Sequence, residues 1–153
     1  MSGESVIRLA RREDLSAIIE MLADDPLGQT REDTSEPPAA VYTSAFAALE
    51  TDPNNELVVM ERKGAVVGCL QLTFIPGLSR KGAWRAQIES VRIASSLRGE
   101  GLGRRLFEWA IARARDKDCA LVQLTTDKAR PEALRFYESL GFQASHEGMK
   151  LAL

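Results

Sequence analysis

The stretch from Ile88 to Thr126 constrains the fold more than any other, because its hydrophobic period changes twice. Ile88-Glu89-Ser90-Val91-Arg92-Ile93 closes a strand expected over roughly residues 85–93. A glycine-rich turn follows. Gly103, Leu106, Phe107, Ala110, Ile111 and Ala114 then recur at i, i+3, i+4, i+7, i+8 and i+11, the spacing of one helix face. Residues 120–126 are apolar enough to predict a strand buried on both faces. Strand, tight turn, helix and strand make a βαβ unit. The helix carries the chain back along the sheet, so the two strands must run parallel.

The remaining segments add antiparallel strands and more helices. Val6-Ile7-Arg8-Leu9 predicts a short strand, and Leu15, Ile18, Ile19 and Leu22 predict a helix that ends before Pro26. Residues 28–38 are polar and carry Pro37-Pro38, which predicts a mobile loop. A second helix is expected over 39–50. Strands are expected over 56–61 and 66–75, with Lys63-Gly64 as the hairpin turn between them. Pro131 suits a first helical position and Gly141 a left-handed helix end, which brackets the last helix. The tail, 142–153, is expected to add one or two short strands. The fold class that follows is α/β in a single domain over 1–153: a mixed, mostly antiparallel sheet with a central, splayed parallel pair and helices on both faces.

Composition narrows the function. The formal net charge of the 153 residues is −2, whereas a general nucleic-acid binder needs a basic excess to displace counterions. Arg98, Arg104 and Arg105 sit close together in sequence and leave room for a local basic patch. The longest apolar runs, such as Leu57-Val58-Val59-Met60, fall far short of the ~20 residues of a membrane-spanning helix. Arg8, Arg11, Arg12, Glu13 and Asp14 interrupt any apolar leader, so a cytoplasmic location is expected. Cys69 and Cys119 stand apart and read as buried small apolar residues. His146 is the single histidine and reads as a surface or strand-end residue, so no metal site is expected. Trp84 and Trp109 read as packing residues. Tyr42, Phe46, Phe74 and Ile75 could line an acceptor pocket, with core packing the default for each.

The glycine-rich turn, Arg98-Gly99-Glu100-Gly101-Leu102-Gly103, lies between the strand and the long helix. Glycines let backbone N–H groups converge without Cβ interference, and a helix N-terminus adds its positive dipole end. Arg98 and Arg104 could add charge-assisted contacts. Either the turn binds an anion or its glycines merely permit tight packing. Neither the P-loop pattern nor Gly-x-Gly-x-x-Gly fits, because Arg104 and Leu106 fall where the last glycine would stand.

Arg98 to Gly103 matches the Gln/Arg-x-x-Gly-x-Gly/Ala signature of the GCN5-related N-acetyltransferases, and 133–142 (Ala-Leu-Arg-Phe-Tyr-Glu-Ser-Leu-Gly-Phe) resembles their second motif. The resemblance covers roughly residues 87–142. It implies the acyl-CoA N-acyltransferase fold, acetyl-CoA as co-substrate without a metal, and transfer of an acetyl or short acyl group to an amine. Arg98, Gly99, Glu100, Gly101, Leu102, Gly103 and Arg104 would hold the diphosphate. The pantetheine arm would pair with the β backbone at Val91, Arg92 and Ile93, and the parallel strands would part near Val91 and Thr125. Relatives often carry an asparagine where this chain has Thr126-Asp127; Asp127 would contact the pantetheine or cap a turn. Tyr137 would protonate the leaving thiolate, against a purely packed aromatic beside Phe136.

Glu89 is the candidate base, with an ion pair to Arg85 or Arg92 as the alternative. Ideal alternation puts its side chain on the face of Val91, whose N–H is the expected oxyanion donor, although a bulge near the splay would alter that facing. The acceptor would be a small-molecule or peptide amine, with no nucleic acid or membrane partner. Relatives are often dimers, so the resemblance also admits a homodimer. Fold does not fix function, and a catalytically silent CoA-sensing or protein-interaction module is the competing class.

Overall fold

The computed structural model describes residues 4–153. These form two compact units, one reaching to Gln123 and the other running from Leu124 to Leu153. The first holds a five-stranded sheet in the order β1 (Ser5–Leu9), β2 (Asn55–Arg62), β3 (Ala65–Ile75), β4 (Arg85–Ile93) and β5 (Leu121–Gln123). Only β4 and β5 are parallel; all other pairs are antiparallel. Lys63 and Gly64, with φ of 53° and 77°, turn the β2–β3 hairpin between the paired Arg62 and Ala65. Two consecutive left-handed residues match the twist of the flanking strands.

Helices cover both faces of this sheet. Helix α1 (Leu15–Ala23) buries Ile18 and Met21 against Val59 and Cys69, while Leu15 and Ile19 pack on Phe46 of α2 (Ala40–Thr51). Helix α3 (Leu102–Asp116) closes the opposite face with buried Leu106, Phe107, Ala110 and Ala114. Covering both faces explains why Val58, Val59 and Met60 are all fully buried in succession. Among the described residues no helix is long and apolar enough to cross a membrane.

Four expectations are corrected. Strand β5 stops at Gln123 rather than reaching Thr126, and its residues are half-buried. Its ladder ends with Gln87 paired to Gln123, just before β4 enters a bulge, and a bulge bends the strand that carries it. No strand forms in 142–153: without a ladder partner to satisfy its backbone, the tail leaves Met149, Leu151 and Leu153 exposed. The parallel pair therefore ends the described sheet instead of lying at its centre. Residues 28–38, expected to be mobile, are tied down. Gly28 N–H donates to Asp25, and the Tyr42 hydroxyl accepts from Asp33 N–H and donates to Glu32, both at 2.8 Å.

In the second unit, α4 (Pro131–Ser139) begins at its proline as expected. It ends in a Schellman turn: Gly141, at φ 100°, donates to Glu138, and Phe142 donates to Tyr137.

Candidate active site

The glycine turn forms the first half of the site. Gly99 and Gly101 have φ of 86° and 81°, the left-handed region that glycine enters without steric cost. Gly101 caps α3, whose first intrahelical bond runs from Arg105 N–H to the Gly101 carbonyl. The N–H groups of Leu102 and Gly103 precede that first bond, at the start of the helix where intrahelical acceptors run out. A Cβ built on Gly99 or Gly101 would meet nothing within 4 Å. The glycines are therefore not there for tight packing. What they supply is the left-handed backbone of the turn, and the helix start beside it is of the kind that attracts anions.

Side chains brace this cradle from outside. Arg98 donates to the Asp24 carbonyl at 3.3 Å and lies 3.8 Å from its carboxylate, while the Glu100 carboxylate is 3.2 Å from Arg62. Arg104 pairs with Glu108, one turn along α3, at 3.8 Å. The anchoring residues lie at the ends of α1 and β2, far from the turn in sequence, where local pattern gives no sign of them.

The second half is β4. Glu89 pairs with Gln71, and Arg92 with Cys69, so two residues, Ser90 and Val91, oppose the single Leu70. This is a β-bulge, and Ser90 adopts φ 56° to make it. The bulge breaks simple alternation. Glu89 and Arg92 share the face of Gln71 and Cys69, whereas Ile93 lies on the face of Gly68, where a Cβ would meet the Ile93 Cδ1 at 2.9 Å. Val91 consequently does not face the way Glu89 does, which corrects the expectation drawn from ideal alternation. Beyond Gln87, β4 has no ladder to β5, so from Ile88 to Ile93 that edge is open among the described residues. An open edge is what strand-like pairing of a pantetheine arm requires.

Beneath the bulge, the Cys69 thiol donates to the Ser90 carbonyl at 3.4 Å. Burial pushes this thiol up to about 12, so it stays protonated and serves as a donor. Arg92 donates to the Val91 carbonyl at 2.9 Å and approaches Asp25 to 3.3 Å. The chain just after α1 thus meets both the turn, through Asp24, and the bulged strand, through Asp25.

Glu89 forms no ion pair with Arg85 or Arg92, so that alternative falls. It is exposed, and it accepts a hydrogen bond from the Gln87 amide. Gln87 in turn accepts from Gln123 at 2.9 Å. Neither glutamine was singled out by sequence pattern. Only their register as the last β4–β5 pair reveals the link.

In the second unit, Tyr137 is half-buried, its ring 5.8 Å from Phe136 and 6.3 Å from Phe142. Asp127 accepts from the Ala129 N–H and its carbonyl accepts from Arg130, so it caps the turn into α4. Phe46 and Phe74 are core residues, while Tyr42 holds the 28–38 loop. Trp84 is partly exposed and Trp109 lines a surface groove with Val6 and Arg105, so neither is a core anchor. Cys69 is buried as expected, Cys119 only half-buried, and both are free. His146 is exposed. No group of metal-binding side chains occurs among the described residues.

Comparison with known proteins bears on this geometry. The profile of the acetyltransferase (GNAT) family matches residues 15–142. The aminoalkylphosphonate N-acetyltransferase of Salmonella typhimurium is 29% identical over 92% of this chain and 96% of its own. The glucosamine 6-phosphate N-acetyltransferase of Trypanosoma brucei brucei is 37% identical over 59% of each chain. A transcriptional regulator from Bacillus halodurans C-125, known from its crystal structure, is 51% identical. It superposes with a TM-score of 0.95 over 98% of this chain and 100% of its own.

Proposed function

Because the chain belongs to the acetyltransferase (GNAT) family of acyl-CoA-dependent N-acetyltransferases, we propose that it moves an acetyl group from acetyl-CoA to the primary amine of a small molecule by direct attack on the thioester. The observation that carries this reading is the cradle at Gly99 and Gly101, open before the α3 amides and followed in space by the free edge of β4. The diphosphate rests on residues 98–104, and the pantetheine amides pair with the backbone of Val91, Arg92 and Ile93. Both units, residues 1–153, act as one acetyltransferase domain in this reading.

An alkylammonium has no lone pair, so its proton must leave before attack. Glu89 takes it, directly or through water. The amine nitrogen then bonds to the thioester carbon, and the negative charge on the oxygen is met by the Val91 N–H. The C–S bond breaks as the intermediate collapses, the departing thiolate takes the proton of the Tyr137 hydroxyl, and the proton still held by the acylated nitrogen passes through water to the Tyr137 oxygen, which restores the phenol. Products are the acetamide and free CoA.

The two named acetyltransferase relatives act on an aminoalkylphosphonate and on glucosamine 6-phosphate, small amines that carry a phosphorus oxyanion. An acceptor of that kind is the leading candidate here. A cytoplasmic setting belongs to the same proposal and accords with two free cysteines. So does a homodimer, in which a second copy would cover Met149, Leu151 and Leu153; sedimentation equilibrium tests it.

The experiment is thiol release from acetyl-CoA over a panel of 2-aminoethylphosphonate, glucosamine 6-phosphate, amino acids and a peptide with a free N-terminus, with products weighed by mass spectrometry. Acetylation of a phospho-amine supports the reading, and acetylation of the peptide alone moves the acceptor to proteins. The Bacillus halodurans relative, a transcriptional regulator, favours one second reading: a module that senses acyl-CoA without turnover. Binding of acetyl-CoA with no thiol release from any amine would select it.

A further inference from the structure

We infer that Gln87, locked by Gln123, is the residue that positions Glu89, an inference that rests on the base role proposed above. The chemistry of the three groups fixes the arrangement. A carboxylate only accepts hydrogen bonds, so the end of the Gln87 amide that faces Glu89 is its NH2. Its carbonyl must then point the other way. There it meets a donor, the Gln123 NH2, at 2.9 Å. Turning the Gln87 amide over would set carbonyl against carboxylate and NH2 against NH2, losing both bonds at once.

The place of this chain in the sheet gives it a purpose. Gln87 and Gln123 are the last pair of the parallel ladder, so both backbones are still held by β pairing where the relay is anchored. One residue later β4 has lost its β5 neighbour, and two residues further on it enters the bulge at Ser90. Glu89 is therefore an exposed side chain at the edge of an irregular segment, where a carboxylate by itself would turn among several rotamers. A glutamine fixed on the last regular rung holds it in one. The link also spans β4 and β5, the two strands on either side of the open edge.

Double-mutant analysis with 2-aminoethylphosphonate as acceptor tests this. Q87L keeps the size of the side chain and removes both bonds. It is expected to lower kcat/KM by roughly 10- to 100-fold, the scale of a misplaced catalytic group, with KM for acetyl-CoA unchanged. The loss should be largest at low pH, where few amines are already neutral, as it is for E89Q. Q87L/E89Q should be no slower than E89Q, because Gln87 acts only through Glu89. Q123L, which keeps Gln87 but frees its carbonyl, should show a smaller loss of the same pH form; it carries the test if Q87L does not fold. A readout independent of turnover is the side-chain amide resonance of Gln87, which E89Q should shift.

If E89Q is as active as the parent, the base role fails and the inference with it. If E89Q is impaired but the Q87L loss adds to it in full, Gln87 acts on something else and this inference alone is overturned. A Gln87 amide signal indifferent to E89Q overturns it as well.

Discussion

Replacing Gly101 by leucine separates the two things that residue does. In the free protein the residue stands at φ 81° and ψ 8°, and an added Cβ meets nothing within 4 Å. The folded state therefore suffers backbone strain alone, about 1–2 kcal/mol for an L-residue in the left-handed region. At about 2–4 °C per kcal/mol for a chain of this size, Tm should fall by roughly 2–8 °C and the fold should survive. The effect on acetyl-CoA is larger, because the leucine side chain enters the space before the N–H groups of Leu102, Gly103 and Arg104. A hydrogen bond to a charged group contributes about 1.5–3 kcal/mol. Loss of two such bonds to the diphosphate weakens Kd by about two to four powers of ten. Calorimetric titration of acetyl-CoA into the parent, Gly101→Ala and Gly101→Leu measures this. Alanine carries the same strain but projects only a methyl group, so its affinity should lie between the other two. A leucine variant that binds as tightly as the parent would refute the cradle. Equal losses for alanine and leucine would attribute the effect to strain rather than to filled space.

Other expectations follow from single contacts. Tyr137→Phe keeps the ring packed beside Phe136 and Phe142, so Tm should hold while kcat falls by about 10²–10⁴, the usual range for general acid catalysis; full activity would return Tyr137 to a packing role. Tyr42→Phe removes the hydroxyl that ties Asp33 and Glu32, and should raise the acceptor KM several-fold with acetyl-CoA affinity unchanged in calorimetry. An unchanged acceptor profile would make residues 28–38 a plain connection. Buried Asp14 accepts from Arg8 at 2.7 and 3.0 Å and from the Arg11 N–H at 2.7 Å, and the Arg8 hydrogen bond holds its carboxyl below the ordinary 3.8. A lowered value means its stabilisation is complete above pH 3.8 and lost as pH falls through the folded-state value. Asp14→Asn should cost about 3–5 kcal/mol at pH 7 in urea unfolding, with the gap to the parent narrowing in acid.

The parts of this protein that were legible in its sequence are those decided within a few residues. Lys63-Gly64 suits a hairpin turn, and the turn forms there with both residues left-handed. Apolar spacing from Leu106 to Ala114 sets the buried face of α3, and Pro131 and Gly141 bracket α4 through backbone chemistry alone. The glycine turn belongs with these, because positive φ at Gly99 and Gly101 is a local matter.

Register is different, because it is an agreement between distant strands and one extra residue reverses every side chain beyond it. Nothing local in Glu89-Ser90-Val91 announces that both Ser90 and Val91 will oppose Leu70, so the facing of Val91 could not be read from alternation. The same holds for Gln87 and Gln123, unremarkable glutamines until the parallel ladder makes them its last pair. It holds too for Asp24 and Asp25, which acquire meaning when folding brings Arg98 and Arg92 to them. Sequence determined where an anion could be held, since amides at a helix start are local. Tertiary structure alone decided which groups lie beside Glu89 and the glycine turn, because those groups come from strands and loops that meet only once the sheet has formed.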